Sequence, residues 1–355
     1  MSSAFISEGD IYITGEISAG ISPDPRNFTI LPAPVKFADV SIGDNILAAI
    51  DMNGNIWTFV NDTGYHYDEY DQEGYYDEYE TGKALREPLI QSSYGQVFTA
   101  VSCGVKTTFA LDNDGKLWVK GSLYTGRGGF VSSDNFREII TETRFRILEV
   151  SGQAGALIDF SGNLWCFGLV EFGYFYPYNI NDNGDPYAPR KVNVDSGFVS
   201  VSCGGGFLTA IDDGTNLWVY FPEYRSKDAE FKILLTNIQK VVCGSYYIKT
   251  IDIYGNVWIG SISASDRSIR DYEQLTQNIS ITQIVDRDGE SLIMLDNDKM
   301  IYVFGDNTKG QLGLGYNVSK VTDLMLLEGI TADTLSDQNI YIRGGLRTKS
   351  ASKIN

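Results

Sequence analysis

The stretch Gly305-Asp306-Asn307-Thr308-Lys309-Gly310-Gln311-Leu312-Gly313-Leu314-Gly315 directly follows an apolar run over residues 301–304. Glycine-rich segments can bind phosphate, but a phosphate-binding loop requires Lys and then Ser or Thr directly after its last glycine. Tyr316 follows Gly315 in this chain, so the phosphate-loop interpretation fails. The segment is better explained as the end of a hydrophobic strand, and similar strands recur along the chain.

Six copies of one sequence unit run along the chain. Each has an apolar β-branched run, a small-residue turn, a second apolar run, an Asp-x-x-Gly-like corner and a third run that carries an aromatic residue. In five copies this aromatic residue lies 17 residues after the first Val, as Trp118 does after Val101, and in the copy that starts at Val150 the interval is 15. All five tryptophans occupy this position. With Tyr12 from a partial copy, the structural repeat positions are Tyr12, Trp57, Trp118, Trp165, Trp218, Trp258 and Tyr302.

The corner of each unit predicts a tight β-hairpin. In the corner from Asp51 to Gly54, the Asp can hydrogen-bond the local backbone and the Gly can adopt the positive φ of a short turn. Residues 55–59 then carry side chains that favour strands. No segment has the sustained 3.6-residue period of an amphipathic helix, so we expect an all-β chain with few helices. Units of ~40 to 50 residues in such a chain are typical of β-propeller blades.

We expect a seven-bladed propeller with four-stranded blades. Six blades contain the aromatic positions from Trp57 to Tyr302, and residues 7–15 match the third strand of a seventh. Residues 332–342 align with the first and second strands of that blade, so that the N- and C-termini share it and close the ring, which removes exposed strand edges. Alternatively, residues 340–344 match a third strand.

The predicted domain organisation is simple. A single propeller is expected over residues 1–345, since a chain of this length is common for a ring of small sheets. A short basic C-terminal tail is expected over residues 346–355.

Residues 305–315 resemble the signature of the RCC1 (regulator of chromosome condensation) repeat, in which a hydrophobic strand ends in G-x-N-x-x-G-Q-L-G-L-G. The resemblance extends over nearly the whole chain, and the complete motif occurs once. It implies an RCC1-like β-propeller. Members of this family include exchange factors for the small GTPase Ran, chromatin-bound proteins, ubiquitin-ligase accessory domains and inhibitors of β-lactamases.

The chain departs from the family in the second strand of each unit, where family repeats usually place His before Ala-Leu. The only histidine here, His66, lies in an insertion. This departure argues against nucleotide-exchange activity, and no motif marks exchange residues. The residues at the family's His position are Ile46, Thr107, Phe207, Tyr247 and Ser291.

The composition predicts a soluble intracellular protein, cytoplasmic or nuclear, with a virion as a further possibility. Residues 1–6 lack the basic start and apolar core of a secretory signal, and no stretch approaches the ~20 apolar residues that span a bilayer. Cys103, Cys203 and Cys243 share one repeat position, which favours small buried residues near the centre over disulfide partners. The net charge of −18 opposes direct binding of duplex DNA, whose affinity depends on Lys and Arg.

Two insertions, both expected between the third and fourth strands of a blade, carry unusual residues. Residues 62–80 contain eight carboxylates, six tyrosines and no Lys or Arg. Acidic runs are usually solvated, but tyrosine offers contact area with a polar tip and is enriched at interfaces. Residues 172–178 form a second aromatic cluster on the same expected face.

These insertions predict a non-catalytic scaffold that binds a protein partner with a basic surface. The alternatives are a guanine nucleotide exchange factor or regulator of a Ran-like small GTPase, and a structural component of a virion or larger assembly. The predicted partner-binding residues are Tyr65, Tyr67, Asp68, Glu69, Tyr70, Asp71, Tyr75, Tyr76, Asp77, Glu78, Tyr79, Tyr174, Tyr176 and Tyr178.

Nothing in the sequence predicts an enzyme, a metal site or a cofactor. A nucleophile–histidine arrangement would have to use His66, which lies in an acidic loop that the fold does little to position. The segment from Asp112 to Gly115 begins like a calcium loop but lacks the Glu at the twelfth position, so a hairpin corner is the better interpretation. The four cysteines lack the spacing of zinc ligands.

Overall fold

The structure is a computed structural model in which all 28 regular elements of the described residues are β-strands. These strands form seven antiparallel sheets. The described residues are 2–7, 9–15, 29–31, 33–43, 46–60, 90–91, 95–104, 107–124, 130–170, 173–174, 187–192, 194, 196–205, 207–221, 231–244, 246–263, 268–276, 279–286, 291–298, 300–308, 310, 312–314 and 318–327.

One sheet is built from the N-terminal residues, and six are blades of four or five strands. The N-terminal sheet contains β1 (Ser2–Ser7), β2 (Asp10–Gly15) and β3 (Thr29–Ile30). Blade 1 contains β4 (Phe37–Ile42), β5 (Ile46–Asp51), β6 (Ile56–Val60) and β7 (Ile90–Gln91). Blade 2 contains β8 (Phe98–Cys103), β9 (Thr107–Asp112), β10 (Leu117–Tyr124) and β11 (Phe130–Ile139). Blade 3 contains β12 (Phe145–Ser151), β13 (Gln153–Asp159), β14 (Leu164–Val170), β15 (Gly173–Tyr174) and β16 (Arg190–Lys191).

The remaining three blades follow in chain order. Blade 4 contains β17 (Phe198–Cys203), β18 (Leu208–Asp212), β19 (Leu217–Tyr220) and β20 (Phe231–Leu235). Blade 5 contains β21 (Ile238–Cys243), β22 (Tyr247–Asp252), β23 (Val257–Ser263) and β24 (Ser268–Gln274). Blade 6 contains β25 (Ile281–Asp286), β26 (Ser291–Asp296), β27 (Ile301–Asp306) and β28 (Lys320–Leu326).

Each blade is an antiparallel meander, and this alternation gives the disc two distinct ends. The Asp-x-x-Gly corner joins the second and third strands, as between β5 and β6, and the connection to the next blade leaves from the same end. We call this the corner end. The connections between first and second strands and between third and fourth strands lie at the opposite end, which we call the loop end.

Apolar clusters between neighbouring sheets hold the ring together. The cluster between blades 2 and 3, for example, joins Phe109 to Phe167, whose ring centroids are 5.0 Å apart. The N-terminal sheet packs on blade 1 through Ile6 and Ile11. On its other side Tyr12 packs against the cluster of blade 6, so this sheet lies between the last blade and the first and closes the ring.

Small residues allow the first strands to approach one another closely. The hydroxyl Oγ of Ser41 accepts a hydrogen bond from the backbone N–H of Cys103 at 2.6 Å, and Ser202 does the same for Cys243 at 3.0 Å. A Cβ on Gly104 would lie 1.9 Å from the carbonyl oxygen of Gly152 in the next blade, so only glycine fits there. The recurring spacing of Ser, Cys and Gly in the sequence units therefore reflects contacts between blades.

The prediction of seven four-stranded blades, one shared by both termini, is wrong. The propeller has six blades of four or more strands, and the N-terminal sheet has three strands in the described residues. The prediction assigned residues 332–342 as the first and second strands of this sheet, but Ser2–Ser7 lies beside β2 and pairs from Ser7 to Asp10 through Ser2 to Gly15. A hairpin between adjacent strands costs far less loop-closure entropy than a pairing of the two chain ends. Residues 328–355 lie outside the described residues.

Candidate protein-interaction site

A carboxylate organises the corner of each blade, and it is buried in blades 1 to 5. In blade 2, Oδ1 of Asp112 accepts hydrogen bonds from the backbone N–H groups of Asp114 and Lys116 at 3.0 and 2.9 Å. Its Oδ2 accepts a bond from the indole Nε1 of Trp118 at 2.9 Å. We call this arrangement the carboxylate clamp. It recurs in blades 1 to 5 with Asp–Trp distances between 2.8 and 3.0 Å, and in blade 6 the hydroxyl of Tyr302 donates to Asp296 at 3.2 Å.

Four of the clamps favour the ionised carboxylate. Burial by itself would raise the pKa of Asp159, but hydrogen bonds from Asn163 and Trp165 outweigh this effect and lower the pKa. The pKa values of Asp51, Asp212 and Asp252 are lowered in the same way, against the effect of burial. The corners are therefore held by charge-assisted hydrogen bonds, which are stronger than neutral ones.

The corner also joins each blade to the next. The carbonyl oxygen of Gly54, at the end of the blade 1 corner, accepts a hydrogen bond from the backbone N–H of Phe98 in blade 2 at 2.8 Å. Gly54 has a φ of +83°, and a Cβ there would meet Val97 Cγ1 at 2.5 Å. Glycine is needed both for the turn and for this close approach. In blade 4 the same position is occupied by Thr215, with a φ of +63°.

The third-strand aromatic side chains pack at the borders between sheets, each half-buried. In blades 1 to 4 the indole meets a first-strand Phe edge-to-face, with centroids 5.8 to 6.4 Å apart. Blade 5 has Ile238 at the position of that Phe, and Trp258 stacks on Tyr272 instead, at 5.4 Å and 12°. Aromatic pairs of these geometries stabilise beyond the area they bury.

The glycine-rich segment of blade 6 forms a structured connection at the loop end. The side chain of Asn307 accepts a bond from the N–H of Leu312 at 2.9 Å and donates to the carbonyl oxygen of Val318 at 2.9 Å. Leu312 and Leu314 are buried in the cluster that also contacts Tyr12. This segment is therefore a structural feature that covers the border between blade 6 and the N-terminal sheet.

Most of the predicted partner-binding residues lie outside the described residues. These are all the predicted residues from Tyr65 to Tyr79, together with Tyr176 and Tyr178. Tyr174 belongs to β15, where its backbone pairs with Leu169. The topology nevertheless fixes where both segments leave the disc, because residues 61–89 connect β6 to β7 and residues 175–189 connect β15 to β16.

The thiols and Lys240 are buried in the described part of the chain. All four cysteines are buried and form no disulfide with one another. Burial raises the pKa of the Cys166 and Cys203 thiols, in Cys203 together with the nearby Glu149. Lys240 Nζ donates to the carbonyl oxygen of Thr282, and burial lowers its pKa to about 8. Within the described residues, no three His, Cys, Asp or Glu side chains cluster as metal ligands, and no helix is long and apolar enough to cross a membrane.

The sequence carried two signals that were not interpreted. The interval from the corner Asp to the Trp is six residues in all five Trp-containing blades, as from Asp51 to Trp57, and this constant interval could have indicated the hydrogen bond between them. Second, an apolar residue follows the corner Asp in three blades, where a solvated turn would favour a polar one. These residues are Met52, Phe160 and Ile253, and all three are exposed.

Comparison with solved structures identifies the fold. Yeast RCC1 (Prp20), solved in complex with Kap60, matches with a TM-score of 0.71 at 11% identity, over 92% of this chain and 84% of that one. Prp20p from Saccharomyces cerevisiae, described with its binding properties to Gsp1p and histones, matches with a TM-score of 0.70 at 11% sequence identity. The match covers 92% of this chain and 88% of that one. Human WBSCR16 matches with a TM-score of 0.65 at 14% sequence identity, and the match covers 92% of each chain. No protein-family model matches the chain. At these identities the likeness shows an RCC1-like β-propeller fold and leaves the function open.

Proposed function

We propose that this protein is a non-catalytic scaffold that binds a partner protein with a basic surface at the loop end. The observation that carries the proposal is topological. Residues 61–89 leave blade 1 from the loop end. The hairpin of β14 and β15 turns at the same end of blade 3, and residues 175–189 follow at the outer edge of that blade. Binding residues are commonly found on loops that a rigid scaffold positions.

The charge of the first segment defines the partner's chemistry. Residues 62–80 hold eight carboxylates against no Lys or Arg, in a chain of net charge −18. Charges of one sign mainly accelerate association with an oppositely charged surface and select against wrong partners. Six tyrosines in the same segment provide the aromatic side chains that commonly dominate interface affinity. The partner should therefore present Lys and Arg around apolar or aromatic side chains.

The structural neighbours are consistent with a protein-binding role. Prp20 was solved bound to Kap60, and its properties of binding Gsp1p and histones are described with its structure. These are properties of Prp20. They support the proposal because the same fold serves there as a platform for protein partners.

Regulation of a Ran-like small GTPase is a second candidate, favoured by the fold shared with Prp20. The test is the release of labelled GDP from such a GTPase at catalytic concentrations of this protein. Accelerated release would assign exchange activity. A pure scaffold would leave the release rate unchanged.

The scaffold proposal is tested by affinity purification from the native source with three forms of the chain. The first is the full chain, the second lacks residues 62–82, and the third has every Asp and Glu of that segment changed to Asn and Gln. We expect partners to be lost with the deletion, and the amide variant to retain them with slower association and a weaker dependence of the rate on salt. If the deletion variant melts normally and keeps every partner, the proposal is wrong.

A further inference from the structure

The corner end carries most of the large apolar side chains that are exposed in the described residues. In blades 1 to 3 and their connections, Met52 is 58%, Val97 47%, Ile140 91% and Phe160 66% exposed. None of these residues belongs to the predicted partner-binding segments. Further exposed apolar residues at this end are Val199, Ile253 and Tyr254.

Three of the four side chains in blades 1 to 3 lie over the neighbouring corners of blades 1 and 2, and Ile140 lies at the same end. Met52 and Val97 line the same groove of about 250 Å³, between blades 1 and 2. The carbonyl oxygen of Val97 accepts a bond from the N–H of Asn113 at 2.8 Å, which places it beside the blade 2 corner. Phe160 reaches back over that corner, since its Cε2 lies 2.9 Å from where a Cβ on Gly115 would be. Ile140 directly follows β11 at the same end. We call these four residues the corner patch.

The rim of the corner patch is acidic. Asp114, Glu142 and Asp213 are exposed at the corner end and form no ion pair within the described residues. The nearby cations are engaged: Arg144 donates to the carbonyl oxygen of Thr141 at 2.8 Å, and Arg146 donates to that of Phe198 at 2.9 Å. Both guanidinium groups keep their positive charge, and Lys36 and Lys116 pair with Asp10 and Glu138. With the clamp carboxylates of blades 1 to 3 added, the acidic side chains described at this end still outnumber the basic ones.

We propose that the corner patch is a second docking surface, for a partner segment that presents apolar side chains flanked by Lys or Arg. Contiguous exposed apolar patches with a polar rim are typical of interaction sites, whereas isolated exposed apolar residues are common everywhere. A second copy of this chain is disfavoured because it would bring two acidic rims together on molecules of net charge −18 each. With the loop end free for its own partner, the disc can hold two proteins at once.

The test uses labelled synthetic peptides and fluorescence anisotropy. The probe peptide contains leucines flanked by lysines; one control replaces the lysines with glutamates, and another keeps the lysines but replaces the leucines with serines. The chain lacking residues 62–82 is measured in parallel, because the acidic segment can attract any cationic peptide. The variants are Phe160→Ser in the corner patch and Ile233→Ser as a matched control, since Ile233 is 48% exposed on β20 of blade 4.

We expect the leucine–lysine peptide to bind both the full chain and the deletion variant, and both control peptides to bind at least about tenfold more weakly. Phe160→Ser should weaken binding by about tenfold, while Ile233→Ser leaves it unchanged. Absence of binding, equal binding of the serine control, or an unaffected Phe160→Ser variant would overturn the proposal. So would self-association that Phe160→Ser abolishes, or binding that appears only after removal of residues 340–355, because either result would assign the patch to this chain itself.

Discussion

The N-terminal sheet and blades 1 to 5 are each joined to the blade that follows by the same backbone hydrogen bond, but the N-terminal sheet and the blades build their hairpins differently. The carbonyl oxygen of Gly9 accepts a hydrogen bond from the backbone N–H of Phe37 at 2.8 Å, as the carbonyl oxygen of Gly54 does from Phe98. The hairpin of blade 1 has a three-residue turn between Asp51 and Asn55. The N-terminal hairpin pairs Ser7 with Asp10 across only two residues, and Ser7 stands where the blades have the clamping Asp.

This difference separates two functions of the corner. The bond between neighbouring sheets requires only a carbonyl oxygen at the right place, which either hairpin can supply. The carboxylate clamp instead stabilises the hairpin itself and fixes the third-strand aromatic side chain, as in blade 3 where Asp159 binds Asn163 and Trp165. Loss of the clamp should therefore affect the blades and leave the N-terminal sheet unaffected.

Acidification should have the largest effect, because it discharges the four clamps whose carboxylates have lowered pKa values at once. The folded-state pKa values of Asp51, Asp159, Asp212 and Asp252 lie below the ordinary value of 3.8. Carboxylates with depressed pKa values contribute stability that is fully present above pH 3.8 and is lost as the pH falls through the folded-state values. We expect thermal unfolding scans to show a steep loss of stability below about pH 4. Asp159→Asn should make that loss shallower; an unchanged slope would contradict the clamp's role.

Removal of one clamped indole should have the next largest effect. Trp118→Ala removes the packing against Phe98 and the hydrogen bond to Asp112. We expect a loss of about 3 kcal/mol in the free energy of unfolding, measured by chemical denaturation, because the indole is half-buried. Tyr12→Ala in the N-terminal sheet should cost less, because Ser7 has no carboxylate at the position where the blades have the clamping Asp. Equal losses would show that the clamp adds little to aromatic packing.

Removal of a clamping carboxylate should have a smaller effect. Asp159→Ala deprives the backbone N–H groups of Ser161 and Asn163 and the indole of Trp165 of their acceptor. We expect a loss of about 2 kcal/mol, since water can reach part of the corner and replace some bonds. Asp114→Ala is the matched control, because that carboxylate is exposed in the same kind of corner and should change stability by less than about 0.5 kcal/mol. A similar loss of stability in both variants would contradict the proposed contribution of the clamp to the free energy of unfolding.

The sequence predicted the strands and corners because their information is local. The Asp-x-x-Gly corners and the apolar runs around them specify hairpins, and β2 was expected within residues 7–15. The contacts between blades were not predictable in this way, because the bond from Phe98 to Gly54 joins residues of different repeats. The pairing of β1 was missed because Ser2–Ser7 lacks the sequence pattern of the other second strands. The acidic segment, by contrast, was found by composition alone, and its role stays a prediction.

The smallest predicted effect distinguishes the corner of blade 4 from its neighbours. Thr215 holds a φ of +63° at the position where blade 3 has Gly162 with +86°. A β-branched residue in this region costs of order 1 to 3 kcal/mol in backbone strain. Replacement by glycine relieves this strain, but the greater freedom of glycine in the unfolded chain offsets part of the stabilisation. Thr215→Gly should therefore stabilise the protein by about 1 kcal/mol, seen as a higher denaturation midpoint with unchanged slope.

The reverse substitution, Gly162→Thr, provides the control. A Cβ on Gly162 would meet nothing closer than the Cα of Gly197 at 3.4 Å, so the substitution there changes the backbone preference with little steric clash. It should destabilise by about the amount that Thr215→Gly gains. Gly54→Thr should cost more than either, because its Cβ would also collide with Val97. If Thr215→Gly destabilises the protein, the threonine contributes contacts that outweigh its strained backbone, and the blade 4 corner differs from the others in more than its φ angle.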